Sequence, residues 1–364
     1  MNLLQVKPET EEILQQAGER RITEKEALKL MSASGDDIFA LSIAADNLRK
    51  RKAGDIVTYV INRNINFTNV CTGSCEFCAF RRNKDDSDAY LLSKKQVIEK
   101  SKEAKKLCAT EVCIQGGLHP DLDLSYYSEL LRAVKREMDI HIHAFSPMEI
   151  SYAAQKSGMS IKDALKYLRE SGLDSMPGTA AEILDDGVRS AICPKKLKSR
   201  EWIEIVKEAH KLGIPTTATM LYGHVESAEE QVRHLAALRE IQDSTEGFTE
   251  FVPLSFVHFN TPLYLSGKSK GGATGVEDVK VYAVSRIFLD NFRNIQASWI
   301  KLGRKLAQVM LNFGANDLGG TLMEENISSS ACSNTNMLDR EEIERMILEA
   351  GRIPRQRDTL YNLL

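Results

Sequence analysis

The chain has 364 residues, of which 43% are hydrophobic and 27% are charged, a composition typical of a globular protein rather than a disordered or fibrous one. Its formal net charge of -3, with no extended basic face, argues against nucleic acid as a partner. The absence of a charged leader before an apolar segment and of any run of roughly 18 apolar residues predicts a cytoplasmic protein without membrane spans. In such a protein, seven cysteines indicate metal binding or chemistry at a subset of them.

The first part of the chain carries charged segments with apolar residues at helical spacing. Helices are expected over residues 10–20, 23–32 and 36–52. We therefore predict an N-terminal helical segment, residues 1–54, that leads into the rest of the chain.

After Gly54 short apolar strands alternate with amphipathic helices. Strands are predicted over residues 57–62, 111–115, 140–145, 175–178, 216–221, 249–256, 294–299 and 317–320. Eight strand-helix repeats favour an α/β fold with parallel strands closed into a (β/α)8 TIM-type barrel, residues 55–325, and a doubly wound open sheet is the competing fold. A last helix, residues 338–350, predicts a C-terminal helical extension over residues 326–364 that packs on the barrel.

Polar residues follow the predicted strands at the ends where such barrels carry their chemistry. They are residues 66–69, 116–119, 146–149, Thr179, 222–224, 258–260 and 316–317. The barrel fold predicts that these residues converge at one end of the molecule.

Three cysteines, Cys71, Cys75 and Cys78, lie within eight residues directly after the first predicted strand. Gly73 relaxes the backbone between the first two. A structural zinc site takes four protein ligands, and ordinary iron-sulfur clusters also use four thiolates. Three cysteines in one loop therefore predict either a zinc site that borrows a distant ligand or a cluster with one iron left open.

The spacing C-x3-C-x2-C, with Phe77 before the third cysteine, resembles the cluster motif of radical S-adenosylmethionine enzymes. The resemblance implies that the three cysteines bind one 4Fe-4S cluster and that its open iron chelates the amino and carboxylate groups of S-adenosylmethionine. It further implies that electron transfer from the reduced cluster cleaves this cofactor and yields a 5'-deoxyadenosyl radical.

Longer segments, which together span the chain from about residue 53 to residue 364, resemble the subunit 2 family of FO synthase. They include INRNINFTNVC, IQGGLHP, HAFSPMEI, MPGTAAEILDD, TMLYGHVES, NIQASWIKLG, GANDLGGTLMEENIS and EAGRIPRQRDTLY. This resemblance implies transfer of the 4-hydroxybenzyl group of L-tyrosine to 5-amino-6-(D-ribitylamino)uracil in coenzyme F-420 biosynthesis, with 2-iminoacetate, 5'-deoxyadenosine and methionine as the other products. It implies FO synthase subunit 1 as a partner and a reduced ferredoxin- or flavodoxin-type protein as electron donor. The alternatives are a related menaquinone-pathway enzyme, either aminofutalosine synthase or dehypoxanthine futalosine cyclase, and a non-catalytic metal-binding protein.

Gly116 and Gly117 follow the second predicted strand, where the family's backbone contacts the amino group of the cofactor. Leu118 and His119 come next, whereas many members of the superfamily have an acidic residue there. A tight turn is the alternative role of the two glycines.

His143, Ser146 and Glu149 lie at and after the third predicted strand, near the expected position of the cofactor ribose or the tyrosine amine. Glu149 could instead cap the helix that follows, because a carboxylate in the first turn is stabilised by the helix dipole. His141 shares the strand face of His143, so the pattern does not choose between them. His224 is a candidate acid or base, with a structural hydrogen bond as its alternative.

Glu250, Asn316 and Asp317 are candidates for hydrogen bonds to the uracil edge or the ribityl hydroxyls, although Asp317 could equally hold a turn at the end of the barrel. The basic residues 352–357 either pin the C-terminal segment or meet substrate hydroxyls. Glu324 and Glu325 are weaker candidates that more often pair with other charges. The remaining cysteines are expected to act as small apolar residues: Cys108, Cys113, Cys193 and Cys332.

Overall fold

The structure is a computed structural model that describes residues 4–321, 323–324, 326–331 and 338–364. Its strands are β1 Ile56–Val60, β2 Asn62–Asn66, β3 Glu111–Gln115, β4 His141–Ala144, β5 Thr216–Tyr222, β6 Phe248–Ser255, β7 Asp317–Gly320 and β8 Ile353–Gln356. Its helices are α1 Pro8–Gln16, α2 Glu24–Met31, α3 Asp36–Ala53, α4 Lys94–Lys106, α5 Leu124–Glu137, α6 Pro147–Lys156, α7 Ile161–Glu170, α8 Asp186–Ile192, α9 Ser199–Lys211, α10 Ala228–Thr245, α11 Pro262–Leu265, α12 Gly275–Phe288, α13 Trp299–Met310, α14 Asn326–Ser329 and α15 Arg340–Glu349.

Parallel pairing closes the strands into a ring. β2 pairs with β3, and β3 pairs with β4. Single bridges at His143–Ser175 and Met176–Thr216 carry the ring across to β5, which pairs with β6. Two further bridges, Phe251–Ile295 and Gln296–Asp317, lead to β7, which pairs with β1. The ring is closed because β1 continues directly into β2. The predicted (β/α)8 barrel is confirmed.

Three predicted strands differ clearly in extent from the structure, and the one predicted over residues 175–178 shrinks to single bridges at Ser175 and Met176. The first strand continues as β2 as far as Asn66, so this asparagine belongs to the strand and not to the loop after it. The strand predicted over residues 294–299 shrinks to the bridges at Ile295 and Gln296, because Trp299 already opens α13. In the sequence, the apolar residues near this boundary fit both strand and helix spacing, so the pattern does not fix where the strand ends.

The segments outside the barrel pack on its flank and its base. Helices α2 and α3 pack against α12, and α2 also contacts α10, so the N-terminal segment lies on the outer helical layer. The tail predicted as a helical extension contains α15 and then β8, which pairs with β1 on the edge opposite β7. Within the described residues, no helix is both long enough and apolar enough to cross a membrane.

The strand register decides which side chains point into the barrel. Ile65 and Phe67 are fully buried under the helices, and Arg63 reaches Glu103 on α4, so the odd-numbered side chains of this segment point outward. Even-numbered side chains of β2 therefore point inward, since side chains alternate along a strand.

Candidate functional site

The cysteine loop leaves β2 at the carboxyl end of the barrel and is held there by backbone hydrogen bonds. The Cys71 N–H donates to the Arg82 carbonyl oxygen at 3.0 Å, and the Glu76 N–H donates to that of Ile192 at 2.8 Å. All three predicted ligand side chains, Cys71, Cys75 and Cys78, line one cavity of about 260 Å³. We call it the cysteine cavity.

Gly73 leaves space beside two of the sulfurs. Its N–H donates to Cys71 Sγ at 3.3 Å. A Cβ at this position would lie 3.2 Å from Cys71 Sγ and 4.0 Å from Cys75 Sγ. A side chain at residue 73 would therefore compete for space with any group held by these thiolates.

The cysteine cavity fits an iron-sulfur cluster in its donor set and its surroundings. Burial raises the pKa of Cys75 to about 12, so a thiolate there needs a strongly cationic ligand to form at neutral pH. Among residues 4–321 and the other described ranges, no three His, Cys, Asp or Glu side chains gather around a point that could hold a single metal ion. A cubane binds each cysteine through a different iron, so its ligands need not meet at one point.

The Gly116–Gly117 pair brings the end of β3 against the cysteine loop. A Cβ on Gly117 would lie 2.3 Å from the Val70 carbonyl oxygen and 2.8 Å from Cys71 Cβ. A Cβ on Gly116 would lie 2.7 Å from the Phe67 ring. Both glycines line the cysteine cavity, so the close approach that they permit places backbone, not side chain, at its wall.

Glu149 lies at the wall of the cysteine cavity and also caps α6. Its Oε2 accepts hydrogen bonds from the N–H of Ser146 at 2.7 Å and from the Ser146 hydroxyl at 2.6 Å. Its Oε1 accepts from the Gly116 N–H at 2.9 Å. Burial raises the pKa of Glu149 to about 7, in spite of these three donors. Glu149 therefore caps α6, which was the alternative role expected for it, and the same carboxylate also links two walls of the cysteine cavity.

Two residues at the cysteine cavity were not predicted. Lys196 and Glu182 form an ion pair at its wall, and the Lys196 Nζ lies 5.1 Å from the centre of the Phe77 ring. Lys196 belongs to a short basic run that in the sequence indicates a solvated surface. Nothing in that run shows that one of its lysines turns inward.

Two predicted residues, Glu250 on β6 and Asp317 on β7, belong to a second buried cluster at the amino end of the barrel. The guanidinium of Arg357 donates to Asp317 Oδ2 at 2.5 Å and to Asp317 Oδ1 at 3.0 Å. Arg357 Nη2 also lies 3.5 Å from Glu250 Oε2, which accepts a hydrogen bond from the Tyr361 hydroxyl. Thr359 donates to Glu111. We call this cluster the barrel floor.

The structure does not bring Glu250, Asn316 or Asp317 to the cysteine cavity. Asn316 Oδ1 accepts from Arg286 at 2.7 Å and from the Ile295 N–H at 2.9 Å, so its side chain holds two strands together. Glu250 and Asp317 lie near the amino ends of their strands, where the C-terminal segment supplies their partners. The expectation that residues 316–317 lie at the carboxyl end of the barrel is wrong, because they lie at the start of β7.

His143 also lies below the cysteine cavity. His143 Nδ1 and His141 Nε2 both lie 2.7 Å from the Ser175 hydroxyl, which confirms that the two rings share a face. Burial lowers the pKa of His143 to about 4, so its ring is neutral at pH 7. The structure does not bring this ring to the cavity wall either.

His224 is buried in the turn after β5, away from the cysteine cavity. Its Nε2 lies 3.0 Å from the Leu221 carbonyl oxygen and its Nδ1 lies 3.0 Å from Glu226 Oε2. Both ring nitrogens are therefore engaged within the turn, which agrees with the structural alternative. Glu226, held by His224 and backbone N–H groups, has a pKa lowered to about 2.

The remaining candidates are Glu324, Glu325 and the four cysteines outside the motif. Glu324 pairs with Arg63 and Lys100. Cys193 is buried, Cys113 is partly buried and Cys108 is exposed. Glu325 and Cys332 lie outside the described residues.

Comparison with known proteins places the two halves of the chain in related families. Residues 65–238 match the Radical SAM superfamily, and residues 245–364 match the CofH/MqnC C-terminal region. The chain is 57% identical over 352 residues to the 5-amino-6-(D-ribitylamino)uracil--L-tyrosine 4-hydroxyphenyl transferase of Methanocaldococcus jannaschii, covering 95% of this chain and 98% of the relative. It is 54% identical to the protein of the same name from Methanothermobacter thermautotrophicus, covering 98% of each.

Solved structures resemble the fold at low sequence identity. Methylornithine synthase PylB matches with a TM-score of 0.75 and 19% identity, covering 94% of this chain and 97% of that one. The hydrogenase maturase HydG from Carboxydothermus hydrogenoformans also matches with a TM-score of 0.75, at 16% identity, covering 97% of this chain and 80% of that one. At these identities the likeness shows the fold alone.

Proposed function

Because this chain belongs to the family of 5-amino-6-(D-ribitylamino)uracil--L-tyrosine 4-hydroxyphenyl transferases, within the radical S-adenosylmethionine enzymes, we propose that it catalyses the reaction for which these relatives are named. It transfers the 4-hydroxybenzyl group of L-tyrosine to 5-amino-6-(D-ribitylamino)uracil, a step in coenzyme F-420 biosynthesis. The other products are 2-iminoacetate, 5'-deoxyadenosine and methionine.

The observation that carries this proposal is the cysteine cavity. Three cysteines, a glycine pair that presents backbone, and a buried carboxylate line one space at the carboxyl end of a closed barrel. A 4Fe-4S cluster held there by the three cysteines would supply the electron for reductive cleavage of S-adenosylmethionine.

The positions of individual residues support the following roles. Cys71, Cys75 and Cys78 would hold the cluster, and Gly73 leaves room for it. Gly116 and Gly117 would present backbone to the methionyl part of the cofactor. Glu149 keeps their loop in register with α6, with Ser146 as its partner in the cap.

The remaining predicted site residues act at a distance from the cofactor. His143 orders the strands below the cysteine cavity through Ser175. His224 holds the turn after β5 through Glu226. Both serve as positioning residues.

The protein works with partners and in a reducing compartment. A reduced ferredoxin- or flavodoxin-type protein donates the electron, and FO synthase subunit 1 takes the product onward. A cytoplasmic location suits a cluster that must be reduced before each turnover.

The experiment that tests the proposal is a substrate assay with the reconstituted protein. Under anaerobic conditions with reductant, S-adenosylmethionine, tyrosine and the ribitylaminouracil, the protein should form 5'-deoxyadenosine and a coupled product in equal amounts. Turnover on a futalosine-type substrate in place of these two would assign the chain to the menaquinone pathway instead. Tight zinc with no iron or sulfide after reconstitution would leave a non-catalytic metal-binding protein.

A further inference from the structure

The interior of this barrel is polar where barrels of this type are usually filled by layers of branched apolar side chains. Asn62, Asn64 and Asn66 alternate along β2 and pair in register with Glu111, Cys113 and Gln115 of β3. Asn62 Nδ2 donates to Glu111 Oε1 at 2.8 Å, so this face of both strands meets inside the barrel. A row of side-chain amides therefore runs from the barrel floor toward the cysteine cavity.

Two glutamines complete this set of amides. Gln115 lines the cysteine cavity and donates through Nε2 to the Thr179 hydroxyl at 2.8 Å. Gln296 lies opposite, beside β7: a Cβ on Gly319 would lie 1.9 Å from its Nε2. Asp317 and Gly319 lie on the same face of β7, because side chains alternate along a strand, and Asp317 points into the barrel floor. Gln296, which lies against Gly319, therefore also points into the barrel interior.

The amides have hydrogen-bonding capacity that the fold does not use. Asn66 is 97% buried (3% exposed), and its Oδ1 has no hydrogen-bond partner among the described residues. Asn64, Gln115 and Gln296 are only partly buried although they point into the barrel. An unpaired buried carbonyl is costly, and surface left accessible inside a barrel indicates space for a ligand.

We propose that Asn64, Asn66, Gln115 and Gln296 bind the ribityl chain of the uracil substrate. The inference rests on the proposed function, which supplies that substrate. A side-chain amide both donates and accepts, as a hydroxyl does, so a set of amides matches a polyhydroxylated chain. The set contains no charge, which makes it a poor match for a phosphate or a carboxylate.

The chemistry of the two ends of the substrate orients it. The uracil carbon that is alkylated must lie near the tyrosine-derived fragment, and hence near the cysteine cavity. The walls there include apolar side chains that offer the hydroxyls no partners: Phe77, Phe80, Met148, Leu221, Leu254 and Phe256. The amides supply uncharged hydrogen-bonding groups between these walls and the Arg357–Asp317 pair, which closes the far end.

The test compares two substrates in the reconstituted holoenzyme. One is 5-amino-6-(D-ribitylamino)uracil, and the other is the same uracil with an unsubstituted pentylamino chain. In Asn64→Leu and Gln296→Leu the KM for the ribityl compound should rise about tenfold, the worth of about 1.4 kcal/mol, while the KM for the pentyl compound should stay within about twofold of wild type. Gln155→Leu, on the exposed face of α6, is the matched control and should change neither value.

Each result has one meaning, because tyrosine-dependent formation of 5'-deoxyadenosine and the iron content of each variant are measured in parallel. If wild type forms deoxyadenosine but never couples the fragment to the ribityl compound, the proposed function fails. If wild type couples it and both variants keep the wild-type KM, the ribityl chain binds elsewhere and the inference fails. Equal losses on both compounds would also overturn it, since the amides would then act on the fold and not on the hydroxyls.

Discussion

The Glu149 carboxylate and the Gly116 backbone N–H are joined by a 2.9 Å hydrogen bond across the wall of the cysteine cavity. The bond links the N-terminus of α6 to the loop after β3, whose neighbouring glycine touches the cysteine loop. One buried carboxylate therefore fixes two of the loops that surround the proposed cofactor site.

Replacement of Glu149 by glutamine should destabilise the protein, and more so at low pH. The amide has one oxygen in place of two, so it cannot accept from both Ser146 and the Gly116 N–H, and a lost hydrogen bond of this kind costs about 1 kcal/mol. In wild type the folded pKa of about 7 lies above the ordinary value of 4.5, so the native state binds the proton more tightly. Its unfolding free energy therefore falls as pH rises from about 4.5 to 7, and Glu149→Gln lacks that fall.

Urea denaturation at pH 5 and pH 8 measures this difference. Ser146→Ala is the matched control, because it removes only the hydroxyl of the cap and leaves the carboxylate. A destabilisation of Glu149→Gln that is the same at both pH values would contradict the assignment of the raised pKa to this residue.

Each of the three cavity cysteines should be required for a full cluster. We expect Cys71→Ala, Cys75→Ala and Cys78→Ala to lose the 4Fe-4S signal and most of the iron and sulfide after anaerobic reconstitution, because each thiolate binds a different iron. Cys108→Ala, an exposed cysteine outside the cavity, should retain about four of each. Iron and sulfide analysis with electron paramagnetic resonance of the reduced protein decides the outcome.

The spacing of nearby residues predicted much of the candidate site, because the main features of the site lie within short stretches of the chain. The cysteine motif spans eight residues, and the Ser146–Glu149 cap spans four. Strand-helix alternation gave the barrel because the period of apolar residues reports which side of an element is buried. These features depend on neighbours that the sequence displays side by side.

Local spacing could not predict the barrel floor or the Lys196–Glu182 ion pair at the cysteine cavity. Arg357 meets Asp317 from 40 residues away, and nothing near either residue indicates the other. Glu250 lies on the predicted strand, but its partners Tyr361 and Arg357 come from the C-terminal segment more than 100 residues later, and no local pattern indicates them. Lys196 looked like surface charge because only the folded chain turns it toward Glu182.

Removal of the Lys196 charge should make the cluster harder to reduce. Reduction adds negative charge to the cluster, which a cation several ångströms away stabilises by an amount on the order of 100 mV at an effective dielectric near 20. Lys196→Met should therefore shift the reduction potential to more negative values, and Glu182→Gln should shift it the other way. A double variant with both changes should lie between the two, since the pair is close to neutral.

A redox titration followed by electron paramagnetic resonance measures these potentials without any substrate. Lys195→Met, which removes an exposed charge from the rim of the same cavity, is the matched control and should shift the potential far less. Identical potentials in Lys196→Met and wild type would show that the ion pair has no electrostatic effect on the cluster.

Arg357→Met should destabilise the barrel strongly, because it leaves two buried carboxylates without their cation. Asp317 is fully buried and Glu250 is 6% exposed. Removal of one partner of a buried ion pair costs about 3–5 kcal/mol. Arg355→Met, two residues earlier on an exposed site, should cost less than about 0.5 kcal/mol. The contrast separates a fold role of this tail from a role in substrate binding: a variant that keeps the wild-type urea midpoint but has a raised KM for the ribitylaminouracil would move Arg357 from the barrel floor to the substrate site.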